Sequence, residues 1–268
     1  MQRYFTDESL TEGASVTLHG AVEHHAITVL RMQVGGQFEL AGAQGHAFVV
    51  TITGIDPLTV RVEQRIAANH ELPVAVTIVC GISKGQKAEL IVQKATELGV
   101  TRVLFVNTQW ATARWLPDRA AKKVARLQQV AQSAAEQSHR DVVPTVGFVP
   151  LLDAVMRLDA DAKLVAYEES AKQGEHAQLI QTVSAHPRSL LAVFGPEGGL
   201  APEEVAALNA AGFVNAGLGP RILRTETAPW YLLAAISTYT ELQEDSQHLV
   251  NSEKKLTLGG SGHSHWLF

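Results

Sequence analysis

The chain has 268 residues, 46% hydrophobic and 18% charged, with a formal net charge of −5 and a single cysteine. A mean hydropathy of +0.04 excludes a disordered or low-complexity chain, and the length allows one large domain or two ordinary ones. The apolar stretch Ala228 to Tyr239 is too short, and too interrupted by Pro229 and Ser237, to cross a bilayer. The first residues lack the basic and apolar regions of a secretory signal, so a cytoplasmic location is expected.

Residues 1–70 read as a small β-rich domain, a candidate barrel. Short strands are expected at Ser15–Leu18, Gln37–Leu40, Ala47–Thr53 and Thr59–Gln64, punctuated by Gly35-Gly36, Gly42, Gly45 and Asp56-Pro57. One or two helical turns interrupt them near Val22–Leu30. The polar segment from Ala67 to Pro73 marks the domain boundary.

From residue 74 to 243 apolar runs alternate with amphipathic helices. Strands are expected at Val74–Cys80, Val103–Val106, Leu164–Tyr167, Leu190–Phe194 and Phe213–Ala216. Between and after them come helices over Lys84–Leu98, Pro117–Ser138, Leu151–Leu158, Glu175–Val183, Pro202–Ala211 and Thr227–Leu242. This alternation predicts an α/β domain with a mainly parallel sheet covered on both faces, and ligands bound beyond the carboxyl ends of the strands. Cys80 lies in an apolar strand, where a buried, inert thiol is expected. The last helix is apolar almost all round over Ala228–Ile236, so it is buried in the core or against a second subunit. Residues 244–268, with Gly259-Gly260-Ser261-Gly262, read as a flexible tail.

The charges are unevenly placed. Lys and Arg number four against eight Asp and Glu in residues 1–83, ten against four in 84–140, and eight against fifteen in 141–268. The basic excess centres on the helix from Pro117, where Arg119, Lys122, Lys123 and Arg126 share one stripe beside the apolar stripe Ala120, Val124, Leu127, Ala131 and Ala134. Such a stripe is either a solvated face or a phosphate-binding one. Lys87 and Lys94 form a second, weaker basic line.

Two loops carry the densest chemistry. Gly195-Pro196-Glu197-Gly198-Gly199 follows one strand and leads into a helix N-terminus, so its backbone can approach a ligand closely. The segment Gly217 to Ala228 places two arginines, a carboxylate and two threonines between a strand and the last helix. Other signatures are missing: no phosphate loop of the Walker type, no Rossmann glycine motif after Val74–Cys80, and no zinc-binding set. His24-His25 and His263/His265 read as a loop pair and a tail pair, so no metal is expected.

These motifs carry a resemblance. Arg3-Tyr4-Phe5, His25 with Val29-Leu30-Arg31, Lys94 to Val100, Ala135-Glu136-Gln137-Ser138 with Arg140 and Pro144, the Gly195–Gly199 loop, and Leu218-Gly219-Pro220-Arg221-Ile222-Leu223-Arg224-Thr225-Glu226-Thr227-Ala228 appear in that order. In this the chain resembles the bacterial 16S ribosomal RNA uridine N3-methyltransferases, the ribosomal RNA small subunit methyltransferase E family of the SPOUT superfamily, from residue 1 to about 243. The resemblance implies a PUA-like RNA-binding barrel before a SPOUT domain with a trefoil knot. It also implies S-adenosylmethionine as cofactor, 16S ribosomal RNA of the small subunit as substrate, and a homodimer. By position, Gly195, Pro196, Glu197, Gly198, Gly199, Leu218, Gly219, Ile222 and Leu223 would hold the cofactor. Arg224 would stabilise the uridine anion and Glu226 accept its proton, with Glu197 a weaker candidate for the acceptor. An Arg224–Glu226 ion pair that only fixes the loop is the structural alternative. RNA contacts fall to Arg3, His25 and Arg31, to Arg119, Lys122, Lys123 and Arg126, and to Arg140. Family members often carry a Glu-Arg-Ser triplet after Val103–Val106, whereas this chain reads Thr108 to Trp115 without it, leaving Arg114 or the tryptophans to supply charge or stacking. A SPOUT enzyme for another RNA site and a non-catalytic RNA-binding factor are the rival readings.

Overall fold

A computed structural model describes residues 1–172, 174–175 and 177–242; the expected tail and His263/His265 lie outside the described residues. The first sheet contains β1 (Arg3–Phe5), β2 (Ser15–Thr17), β3 (Gln37–Ala41), β4 (Ala47–Ile55) and β5 (Leu58–Arg65), in the order β1-β3-β4-β5-β2. The hairpins β3–β4 and β4–β5 are antiparallel, whereas β1 lies parallel to β3, with Tyr4 opposite Leu40. Alternation puts Phe38, Leu40, Val50, Ile52, Val60 and Val62 on the inner face, packed with Tyr4 and Leu58. The expected helical turns are a short α1 (Ala21–Glu23) running into a π-helical segment, His24–Val29. The strand β1 has no counterpart among the expected elements, because three residues at a terminus carry no readable alternation.

The second sheet is parallel throughout. It consists of β6 (Ala75–Gly81), β7 (Arg102–Val106), β8 (Thr145–Val149), β9 (Ala162–Ala166), β10 (Ser189–Phe194) and β11 (Val214–Ala216), in the order β11-β9-β10-β6-β7-β8. Its helices are α2 (Lys87–Glu97), α3 (Pro117–Gln137), α4 (Leu152–Met156), α5 (Glu168–Lys172), α6 (Gln178–Ser184), α7 (Pro202–Ala210) and α8 (Thr227–Ser237), the last followed by a π-helical turn at Thr238–Leu242. In β10, Leu190, Ala192 and Phe194 enter the core beneath α2, α3 and α8, while Leu191 and Val193 enter the one shared with α4 and α7. Both faces are covered, which is why these strands read as unbroken apolar runs. Cys80 is buried in the first of these cores, and burial pushes its thiol up to about 12, so it is inert. Leu232, Leu233 and Ile236 of α8 fill the same core. The strand β8 has no counterpart among the expected elements: it is short, directly follows Pro144, and Gly147 interrupts its alternation. No helix among the described residues is long and apolar enough to cross a membrane.

Ion pairs join the two sheets, and they correct two expectations. Arg3 is 1% exposed; its Nε donates to Glu39 at 2.8 Å, and its Nη1 donates to Asp141 at 2.8 Å and to the carbonyls of His139 and Arg140. Arg140 is 3% exposed, paired with Glu71, and donates to the carbonyls of Thr96 and Val100. Neither guanidinium is available to a phosphate. Both guanidiniums are themselves buried and satisfy carboxylates and carbonyls at the junction after α3, where leaving either charge unpaired would be far more costly.

Candidate active site

The strand β10 ends at Phe194, and the chain turns back at once: the Gly199 N–H donates to the Pro196 carbonyl at 2.9 Å, and Gly199 sits at φ +76°. A Cβ on Gly195 would lie 2.8 Å from the Gly199 carbonyl carbon, so only glycine permits the loop to close on itself. Glu204, in the first turn of α7, fixes the loop from behind. Its carboxylate accepts from the Ala201 N–H at 2.9 Å and from the Gln109 N–H at 2.7 Å. It therefore ties the loop after β10 to the loop after β7, whose Trp110 is packed over Gly198.

The loop after β11 closes the other side. The Gly217 N–H donates to Glu175 at 2.6 Å, and the Tyr167 N–H donates to the Ala216 carbonyl at 3.1 Å, joining the ends of β9 and β11. Gly219 has φ +85°, and the N–H groups of Thr227 and Ala228 donate to the Arg224 carbonyl as α8 begins. The loops after β9, β10 and β11 thus enclose one cavity of ≈ 820 Å³ at the carboxyl ends of the strands, the place ligands occupy in open parallel sheets. All nine backbone-loop positions singled out in the sequence line it, from Gly195 to Gly199 and at Leu218, Gly219, Ile222 and Leu223. So does Arg224.

The charged groups differ from the expected pairing. Glu226 does not meet Arg224; the ammonium of Lys87, from the start of α2, bridges Glu197 at 3.0 Å and Glu226 at 3.3 Å. The hydrogen bond to Glu197 raises the Lys87 pKa most; desolvation opposes the rise and Glu226 adds to it. Burial pushes the Glu197 carboxyl up, but its own backbone N–H and Lys87 outweigh that and hold it below the ordinary range. Arg224 is exposed on the cavity wall and has no ion-pair partner among the described residues. A loop-fixing Arg224–Glu226 pair is therefore not what the site contains. Lys87 lies more than a hundred residues before Glu197; the sequence marks it only as part of the weaker basic line with Lys94, and in the structure it faces two carboxylates instead.

The groups expected to meet RNA lie elsewhere. Arg119, Lys122, Lys123 and Arg126 are exposed on α3, with Arg126 held by Glu89 at 2.9 Å and Lys123 placed 5.5 Å over the ring of Trp115. That tryptophan is core, tilted against Phe105 and Phe148. Trp110, 47% exposed, stands at the cavity. Arg31 is exposed at the end of the π-helical segment, and His25 is half-buried, bonded through Nδ1 to the Tyr4 hydroxyl at 2.8 Å.

Known proteins share this arrangement. Residues 70–237 match the family model described as RNA methyltransferase domain. Ribosomal RNA small subunit methyltransferase E of Bacillus subtilis is 41% identical, covering 92% of this chain and 100% of that protein. Two solved structures are similar. The ribosomal RNA small subunit methyltransferase E of Neisseria gonorrhoeae, bound to S-adenosyl methionine, has TM-score 0.79 and 31% identity over 89% of this chain and 98% of that one. A putative methyltransferase of Legionella pneumophila, in complex with the same cofactor, has TM-score 0.75 and 27% identity over 88% and 97%. An all-parallel sheet, glycine-walled loops gathered at its carboxyl edge and a match along nearly the whole length leave one assignment: the chain belongs to the ribosomal RNA small subunit methyltransferase E family of RNA methyltransferases.

Proposed function

We propose that the protein methylates N3 of a uridine in 16S ribosomal RNA of the small subunit, using S-adenosylmethionine. The observation that carries this reading is the cavity bounded by the loops after β9, β10 and β11, whose lining includes Arg224, Lys87 and Glu197, with Glu226 held from outside that lining by Lys87. The cavity fits the cofactor: a Cβ at Gly199 would point into open space, so the missing side chain leaves room, while Leu218, Leu223 and Phe194 offer apolar wall. Gly195, Pro196, Glu197, Gly198, Gly199, Leu218, Gly219, Ile222 and Leu223 would hold it, mainly through backbone groups.

When bound, the cofactor supplies an electrophilic methyl group on a sulfonium. The chain's residues supply alignment and proton handling. A paired uridine hides N3, so the base must be unpaired or turned out of its stack to reach the cavity. Its imide proton must leave as N3 attacks. In this reading Arg224, on the cavity wall, stabilises the resulting anion, and Glu226, held by the cavity-lining Lys87, accepts the proton. The Lys87 ammonium contacts both carboxylates and helps hold the Glu197 carboxyl below its ordinary range. Most of the rate then comes from holding the two reactants in line.

The reading extends to the rest of the chain. The first sheet acts as a PUA-like RNA-binding barrel, with Arg31, His25 and the α3 stripe meeting RNA. The chain segment after β11 forms the trefoil knot, and two copies assemble as a cytoplasmic homodimer across α8. Isothermal titration with S-adenosylmethionine, together with mapping of methylated uridine in small subunits, tests the core of the reading. Wild type should bind about one cofactor per chain and methylate N3. Gly199→Val, strained at φ +76° and filling the cavity, should do neither while remaining folded. Folded wild type that neither binds cofactor nor modifies subunits would overturn the proposal.

A further inference from the structure

A second cavity, of ≈ 400 Å³, lies between the first sheet and the carboxyl end of α3, away from the glycine loops. It is lined by Gln2, His25, Ser133, Glu136, Gln137 and His139 among others. Its polar groups are unusual for a structural seam. Glu136 is half-buried, and among the described residues its carboxylate receives one hydrogen bond, from Gln132 Nε2 at 3.2 Å, and no Lys or Arg. Burial pushes its pKa up, with Gln132 and His25 pulling the other way. Burial and the Glu136 carboxylate together push the neighbouring Tyr4 hydroxyl up to about 12, so Tyr4 stays protonated beside His25. Arg3 also borders the cavity, but its contacts to Glu39 and Asp141 occupy it. His139 sits at φ 55°, an uncommon conformation for a residue other than glycine, with Nδ1 on Glu39 at 2.7 Å.

The location connects this cavity to the basic stripe. Arg119, Arg126, Ser133 and Gln137 fall at i, i+7, i+14 and i+18 of one helix, which returns them to one face at 100° per residue. From Arg126 to Gln137 the helix climbs about 16 Å at 1.5 Å per residue. An RNA strand whose phosphates lie on Arg119, Lys122 and Arg126 therefore runs toward the cavity mouth.

A carboxylate with no cation beside it repels a phosphate, so what enters is a base edge. Ionised, it only accepts hydrogen bonds and can take two parallel N–H donors at once. Among the four RNA bases, guanine alone offers two adjacent donors, N1–H and N2–H, on its Watson–Crick edge. Uracil offers one donor flanked by two acceptors, and adenine and cytosine set an acceptor beside their amine. Ser133, Gln137 or His25 can then donate to O6.

We propose that this cavity is a subsite for one unpaired guanine base of the RNA, read by Glu136 on its Watson–Crick edge. The proposal rests on the reading that the chain acts on RNA, and is independent of methyl transfer.

Fluorescence anisotropy with the full chain tests it, using a short single-stranded uridine oligonucleotide, the same strand with one guanosine, and the same strand with inosine, which lacks the N2 amine. Guanosine should tighten binding about tenfold over uridine, and inosine should lose most of that gain. Glu136→Gln, with unchanged thermal midpoint and unchanged S-adenosylmethionine binding, should abolish the preference. Equal binding of all three strands, no measurable binding, or a guanosine preference that survives Glu136→Gln would overturn the subsite. Because inosine probes the contact from the RNA side, a variant that fails to fold does not remove the test. Methylation of small subunits without guanosine discrimination would sink the subsite alone. Discrimination without methylation would instead sink the proposed reaction.

Discussion

Removing the Arg3 guanidinium separates a structural role from an RNA-binding one. In Arg3→Met the Glu39 and Asp141 side chains, 16% and 7% exposed, lose the cation that both contact at 2.8 Å. The carbonyls of His139 and Arg140 lose a donor as well. Breaking one side of a buried pair costs about 3–5 kcal/mol. Glu39 keeps His139 at 2.7 Å and Asp141 keeps His70 at 3.5 Å, so we expect the lower part of that range. For a chain of this size each kcal/mol moves the thermal midpoint by about 2–4 °C, which gives a fall of about 6–16 °C by scanning calorimetry. The triple variant Arg3→Met/Glu39→Gln/Asp141→Asn should recover much of the loss, because no uncompensated charge remains. A phosphate contact predicts the opposite pattern: little change in midpoint, and a salt dependence of RNA binding shallower by about 0.7–0.9 in log–log slope. That outcome would refute the clamp.

Other expectations follow from the site. Replacing Arg119 and Lys122 together by Gln should reduce the log–log salt slope of RNA binding by about 1.4–1.8, whereas Arg126→Gln should change it less because Glu89 already holds that guanidinium. Gly195→Ala places a Cβ 2.8 Å from the Gly199 carbonyl carbon, so calorimetric titration should show at least about tenfold weaker S-adenosylmethionine binding, with the α/β core still folded. Lys87→Met should cost no more than about 1 kcal/mol, since the three groups of its bridge are partly exposed. The sign of its pH dependence is fixed by both shifts: Glu197 is depressed, so its contribution is full above the ordinary Glu pKa of about 4.3 and lost as pH falls through the folded value. Lys87 is raised, so its contribution is full below about 10.4 and lost as pH rises through its folded value. Urea denaturation of both proteins should therefore show a constant difference between those limits that shrinks outside them.

The parts of the site legible in the sequence were those written locally. Three glycines within Gly195–Gly199, and the packed polar run from Gly217 to Glu226, announce ligand-facing loops wherever the fold sets them; Gly195 to Gly199 and Leu218 to Thr225 line the main cavity, while Glu226 stands outside its lining. The apolar runs of β6, β7, β9 and β10 are long enough to read because both faces of that sheet are buried. What stayed hidden was pairing across long separations. Arg3 and Arg140 look like exposed cations until Glu39, Glu71 and Asp141 are brought beside them, and Glu226 looks like a partner for Arg224 until Lys87 arrives from α2. Helical spacing could place the basic stripe on one face, but it could not show that Glu89 of another helix holds one of its four charges or that Trp115 lies beneath another.

The Arg3–Asp141 contact has a consequence for the order in which the protein is made. Asp141 follows Arg3 by 138 residues, so during synthesis at roughly 5–20 residues per second the guanidinium waits about 7–28 s for its second carboxylate. All five strands of the first sheet have emerged by then, together with Glu39, yet the guanidinium still lacks Asp141 and the His139 and Arg140 carbonyls that complete its contacts. The composition break near residue 70 therefore separates two cores but not two independent folding events: the nascent N-terminal unit stays incomplete until α3 and the turn after it have left the ribosome.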